Sequence, residues 1–365
     1  MEESSFEKLV PGYYFRFDAG GNPVNGTGVG NDTASERKMV RKFIIDALLY
    51  WLNEYKVDGF RFDLMGIHDV ETMNIAAQKL KSLNPGIFLL GEGWDLNTNL
   101  EPEKRATLSS AKVLPDYSFF NDSFRDSVKG SIFIDGTAGF INGNQEHSVK
   151  VQILRAINGY AGKNDKFLSA KQSINYTECH DNHTLFDLLK IRHPNENERH
   201  RKKRQQLALA FTLFSRGVPF IHSGQEFYRT KHGVENSYNL PDRINAFDWH
   251  DCEKYRNDVE YFQELIKVRN KQPVFREEAS MIKQLHELPN GLFGVEINHS
   301  LTDKKVKCFN WEKVLLLFNQ SLKAIEIPIL QGSWKIAVEN EKCAVRNLDS
   351  NTYLINPLSF SLLFV

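Results

Sequence analysis

The chain has 365 residues, 41% apolar and 25% charged, an ordinary globular composition on a length beyond one average domain of roughly 150 residues. Lys plus Arg and Asp plus Glu total 46 each, and this formal neutrality argues against nucleic acid or an anionic membrane as the main partner. The longest apolar runs, such as Leu315-Leu316-Leu317-Phe318, fall far short of the roughly 20 residues that cross a bilayer.

The first residues, Met1-Glu2-Glu3-Ser4-Ser5-Phe6, lack the basic start and apolar stretch of a signal peptide, so a cytoplasmic location is expected. Up to Asp32 the chain is aperiodic and rich in Gly and Asn, as in Gly20-Gly21-Asn22-Pro23. A stretch of that length is expected to be a functional loop. Its Gly-x-Gly pieces lack the preceding strand and following lysine of a phosphate loop, so nucleotide binding is not expected.

Thr33-Ala34-Ser35-Glu36 reads as a capping box, opening a helix whose Val40, Phe43, Ile44, Ala47, Leu48, Trp51 and Leu52 form one apolar stripe. Val57 to Leu64 is a strand candidate, and a helix follows from about Asp69 to the Asn84-Pro85-Gly86 stop. Ile87 to Glu92 reads as a second strand, buried on both faces. Tyr117 to Asn121, Ser173 to Cys179 and Val218 to Gly224 supply three more strands, and helices are expected at Asp122 to Lys129, about Arg199 to Arg216, and before Pro273. Strand alternating with helix implies parallel strands. Beyond about residue 276 the helical period stops. Short runs from Leu292 to Val365 then read as a small antiparallel β domain.

Four cysteines (Cys179, Cys252, Cys308, Cys343) at scattered spacings point away from a disulfide framework or structural zinc and toward a reducing compartment. The chemistry concentrates at three strand ends, where Asp63, Glu92 and Asp181 stand. Catalytic groups gather at that face of parallel α/β barrels, and an acid there is costly unless paired or used. Arg61 lies two residues before Asp63, on the same face of the strand, and would keep it ionised as a nucleophile requires. The apolar Leu89-Leu90-Gly91 setting is expected to raise the pKa of Glu92, which suits a proton donor. Taken singly, each feature also reads as a turn, an ion pair or a capped loop. Trp94 is open between core residue and sugar platform. The His180-Asp181-Asn182-His183 pair of histidines sits on no helix, so no metal is expected there.

At these residues a resemblance becomes specific. Asp58-Gly59-Phe60-Arg61-Phe62-Asp63-Leu64-Met65-Gly66, Gly91-Glu92-Gly93-Trp94 and Glu178-Cys179-His180-Asp181-Asn182-His183-Thr184 resemble three signature regions of the α-amylase superfamily of glycoside hydrolases. Within it, the resemblance is closest to the type I pullulanases, which debranch α-1,6 links. Phe119-Phe120-Asn121-Asp122, Gly224-Gln225-Glu226-Phe227 and Asn236-Ser237-Tyr238-Asn239 agree with it.

The resemblance implies an α/β fold: about five C-terminal strand–helix units of a (β/α)8 TIM barrel over residues 1–276, with 1–32 an active-site loop, then a β-sandwich over 277–365. It implies a retaining mechanism with Asp63 as nucleophile, Glu92 as acid/base and Asp181 as the third carboxylate. Arg61, His180, Asn182, Trp94, Leu64 and Met65 would line the sugar subsites, and Asn239 and Asp242 would meet sugars on the non-reducing side. The implied partner is an α-glucan, with no cofactor required and calcium left open. The family's first signature region, early strands and Tyr-bearing loop are missing upstream of Ser4, so the expectation is an N-terminally incomplete enzyme that needs its missing half. An isoamylase-like or branching enzyme, or an inactive carbohydrate-binding remnant, stays open as an alternative.

Overall fold

The structure is a computed structural model that describes residues 4–133, 136–278, 280–299, 311–329 and 332–365; Cys308 lies outside them. The chain forms two compact units, one of residues up to 120 with 160–174 and the other of residues 121–159 with 175–365.

The first unit begins with helix α1 (Ser5–Leu9), whose Phe6 ring stacks on Tyr14 and meets the edge of Phe43. The glycine-rich stretch that follows has almost no regular structure, yet it is pinned from inside. Arg16 is 2% exposed; it donates to the Ile67 carbonyl and Thr98 Oγ1 and pairs with Glu36 at 2.7 Å. Buried Asp32 accepts the N–H groups of Gly26 and Thr27. The expected capping box does not form. Helix α2 starts later (Lys38–Tyr55), with Arg37 as an uncapped N-cap. Ser35 instead donates to Asp69 Oδ2, and Glu36 is taken by Arg16, so long-range partners outcompete the local cap. Of the expected stripe, Val40 and Leu52 are buried, whereas Phe43 and Trp51 are about half exposed.

Strand β1 (Gly59–Phe62), helix α3 (Val70–Leu83) and strand β2 (Phe88–Gly91) follow as expected. Asp69 caps α3 by accepting from the Thr72 N–H, which satisfies one of the unpaired donors of its first turn. Strands β3 (Ser118–Phe120) and β4 (Ser173–Asn175) continue the sheet. β1 pairs with β2, β2 with β3 and β3 with β4, all parallel. With β5 (Val218–Pro219) the order is β1-β2-β3-β4-β5, and the five strands are those expected. The segments beyond these short strands leave the ladder as loops. That is where the acids sit.

His68 follows the β1 turn, and its Nδ1 is buried without a hydrogen-bond partner. Burial, aided by the Arg16 cation, lowers its pKa from the usual 6.5 to about 4. The unfolded chain therefore binds this proton near pH 6.5 and the folded chain only near pH 4. Stability from this group is complete above that window and lost as pH falls through it, by up to about 3 kcal/mol. His68→Gln should flatten the slope of unfolding free energy against pH across this interval. An unchanged slope would show that His68 does not carry it.

The second unit holds helices α4 (Asp122–Lys129), α5 (His147–Ile157), α6 (Leu185–Arg192), α7 (Glu198–Phe214), α8 (Asp242–Asn245), α9 (Trp249–Lys254) and α10 (Arg256–Lys271). It also holds the C-terminal strands: β6 (Met281–Gln284), β7 (Leu292–Asn298), β8 (Lys313–Asn319), β9 (Ile325–Pro328), β10 (Lys335–Glu339), β11 (Lys342–Asn347), β12 (Thr352–Ile355) and β13 (Ser359–Phe364). Six of these form a sheet in the order β11-β10-β13-β8-β7-β6, and β12 pairs with β9. Among the described residues their pairings are antiparallel, as the sequence leads one to expect. Along β8 the side chains alternate in partner. Leu315 and Leu317 join Ile325, Ile327 and Tyr353 in one apolar core, while Phe318 stacks on Phe211 of α7 at 3.8 Å. Phe214 of α7 stacks on Phe360 of β13.

Candidate active site

In the first unit, β1 and β2 bring Arg61, Asp63 and Glu92 together. One guanidinium serves both acids: Arg61 Nη1 donates to Asp63 Oδ1 and Nη2 pairs with Glu92 Oε1, each at 2.8 Å. The Arg61 guanidinium also faces the Phe120 ring at 5.8 Å, a cation–π contact that helps hold it in place. The Asp63 side chain is 72% exposed and that of Glu92 only 11%. The same-face reading of Arg61 and Asp63 therefore holds. The apolar setting expected for Glu92 does not, because Glu92 also accepts the Leu64 N–H at Oε2, 3.1 Å away.

The backbone explains how this donor reaches Glu92. Leu64 lies in the left-handed region at φ 42°, an unfavourable place for a branched side chain, and the turn aims its N–H at Glu92. Gly66 then passes beneath the next segment: a Cβ there would lie 1.8 Å from the Trp94 carbonyl oxygen. Only glycine permits that approach. Trp94 is half-buried. Met65 is fully buried, and a Cβ built at Gly91 would meet its sulfur at 2.6 Å. Met65 thus supports the strand end from within, a correction to its expected place among the sugar contacts.

In the second unit, the chain beyond β4 carries Glu178 to His183. Glu178 is 1% exposed and fully engaged, accepting from the Leu185 N–H at 2.8 Å and bonding His222 Nδ1 at 2.6 Å. It ties the loop to the start of α6. His180 Nε2 lies 3.4 Å from Asp181 Oδ1, and both side chains are well exposed. Asn182 adopts a left-handed conformation at φ 62° and lies within 3.5 Å of Glu235. The Cys179 thiol donates weakly to the Asp181 carbonyl, and burial pushes its pKa up. Asn239 and Asp242 are exposed on a turn that Asn245 closes through the Ser237 and Leu240 carbonyls.

Three residues escaped the sequence reading. His222 orients Glu178, Arg229 reaches both His222 Nε2 and the Asn245 carbonyl, and Lys231 holds the Asp181 loop. Among the described residues, no group of three or more His, Cys, Asp or Glu is placed to hold a metal.

No family model matches the chain. The pullulanase of Bacillus subtilis (strain 168) is 50% identical over 291 residues, covering 78% of this chain and 40% of that protein. Over most of its length the chain is similar to part of a pullulanase. The crystal structure of an Anoxybacillus sp. LM18-11 pullulanase complexed with maltotriose matches the whole chain at TM-score 0.91 and 44% identity, over 50% of its own length. That of a type I pullulanase from B. subtilis complexed with maltose matches it at TM-score 0.92 and 40% identity, over 51% of its length. The chain thus spans about half the length of these solved pullulanases.

Proposed function

We propose that this chain carries the reaction centre of an enzyme that hydrolyses α-1,6-glucosidic links in pullulan, amylopectin or branched dextrins, with retention of anomeric configuration. The observation that carries the reading is the shared guanidinium, with Asp63 and Glu92 each 2.8 Å from Arg61. One guanidinium bonded to both acids keeps them neighbours on one strand-end surface, and a neighbouring pair of carboxyl groups is what a retaining glycosidase uses. We also read β1–β5 as five strands of a (β/α)8 barrel spanning residues 1–276, and 277–365 as a β-sandwich.

In the first step an Asp63 carboxylate oxygen bonds to the anomeric carbon while the bond to the leaving sugar's O6 breaks. Glu92 gives its proton to that oxygen. In the second step water attacks the same carbon, Glu92 takes the water's proton, and the bond to Asp63 breaks. Asp181 binds sugar hydroxyls and stabilises positive charge on the ring. Asn182, His180, Trp94 and Leu64 contact the flanking sugars. For Glu92 to act as an acid it must carry a proton, so its pairing with Arg61 has to loosen as substrate enters.

The test is sugar release from pullulan, with NMR following the anomer first formed. Maltotriose appearing as the α-anomer is expected. The β-anomer appearing first would overturn retention, and maltotriose bound without any release would make this a carbohydrate-binding protein instead.

A further inference from the structure

We propose that Lys231 is a positioning residue for the reaction, setting the place of Asp181 by seating a buried ammonium among three backbone carbonyls. The inference rests on the role given to Asp181 above. Lys231 Nζ donates to the carbonyls of His180 at 3.2 Å, Asn182 at 2.6 Å and Glu235 at 3.2 Å. An ammonium has three donors and no acceptor, so all three are used. Two of the acceptors flank Asp181, one on each side. The main chain of Asp181 is therefore held at both ends, while its carboxylate stays 58% exposed toward solvent.

Lys231 is itself fixed from the other side. The residue is 2% exposed, and its N–H donates to Asp187 Oδ2 at 2.7 Å. The Thr230 hydroxyl donates to the other oxygen of the same carboxylate. Asp187 lies in the first turn of α6, which Glu178 also grips through the Leu185 N–H. The loop and the residue that clamps it thus share one anchor. Movement of Lys231 relative to the loop would break contacts at both ends.

The geometry also separates this role from a plain ion pair. No carboxylate oxygen lies within salt-bridge distance of Nζ among the described residues. A buried cation without a paired anion is costly unless its donors are fully satisfied, and here carbonyl dipoles alone satisfy them. Burial pushes the Lys231 pKa down, while the nearby Glu178 charge opposes that push. A left-handed Asn182 turns its carbonyl inward, a conformation asparagine tolerates better than most residues.

The test compares the wild-type chain with Lys231→Ala and Lys231→Gln by two readouts. The first is amide hydrogen exchange over residues 178–184, which does not depend on activity. Exchange is expected to quicken in both variants, and unchanged exchange overturns the clamp. The second is pullulan hydrolysis, where kcat should fall about 100-fold, the usual cost of a small misplacement at a reacting centre, with KM changing much less. Quickened exchange with unchanged kcat overturns the positioning role. Propylammonium should restore kcat to Lys231→Ala, whereas tetramethylammonium, lacking N–H donors, should not. A merely structural lysine would lower the melting temperature without amine-specific rescue, and that result also overturns the proposal. Should Lys231→Ala fail to fold, Lys231→Gln, one atom shorter but still carrying two donors, fills most of the space and reads both quantities. If the wild-type chain releases no sugar, the proposed hydrolysis fails, and the exchange readout still decides the clamp.

Discussion

Asp63→Asn is expected to reduce kcat on pullulan by about a thousandfold or more, equivalent to about 4 kcal/mol of barrier. The nucleophile contributes a covalent bond to the anomeric carbon, and an amide oxygen is too weak to replace it. Affinity for maltotriose should remain, because ground-state binding comes from stacking and hydroxyl contacts rather than from that bond. The fold should remain as well. Asp63 is 72% exposed and paired with a partly exposed arginine, and such pairs contribute at most about 1 kcal/mol. Its amide oxygen can still accept from Arg61. Activity, maltotriose binding and melting temperature measured on one preparation check all three points. Residual hydrolysis within about tenfold of wild type would remove Asp63 from the nucleophile's role, since tenfold is little more than 1 kcal/mol.

Glu92→Gln should slow cleavage of pullulan by about a hundredfold to ten-thousandfold, the range of a lost general acid. It should slow the first step on a substrate with an activated leaving group far less, because such a group departs without a proton. Glu92 is 8% exposed and holds both Arg61 and the Leu64 N–H. A glutamine oxygen can keep one of these bonds, so a stability loss of about 1–3 kcal/mol is expected alongside. The comparison between substrates cancels that loss. Equal losses on natural and activated substrates would mean that Glu92 is not the acid.

The parts of this molecule that rest on local pattern were legible in the sequence. Strands β1 and β2 stand out because turn residues bracket short apolar runs, and the stop at Asn84-Pro85-Gly86 marks the end of α3. Arg61 beside Asp63 follows from the two-residue period of a strand alone. Where distant partners decide, pattern misleads. Thr33-Ala34-Ser35-Glu36 has the spacing of a cap, but Ser35 and Glu36 find better partners in Asp69 and Arg16. The glycine-rich stretch before it hides its order in two buried charges, Arg16 and Asp32, whose partners are set by tertiary structure. Lys231 is the sharpest case. A lysine between threonine and histidine in a polar segment reads as a solvated surface residue, and only the convergence of three carbonyls reveals it as buried. Met65 errs the other way: it sits inside a signature region, yet it belongs to the core.

The forked contact of Arg61 gives the two steps of the proposed reaction an order in time. In the free enzyme, one cation is shared between two carboxyl groups. Once Asp63 becomes an ester, its negative charge is gone, and Arg61 has a single carboxylate left to pair with. That carboxylate is Glu92, at the moment when it must be negatively charged to draw a proton from water. Formation of the covalent intermediate thus readies the group that will dismantle it, with no change in the fold and no additional residue. Lysine at position 61 would offer a compact charge that cannot reach two acids in parallel as a planar guanidinium does. Arg61→Lys should therefore retard breakdown of the intermediate more than its formation, so that glycosyl-enzyme accumulates as a burst before steady turnover. Equal retardation of both steps would mean that the arginine merely holds the acids in place.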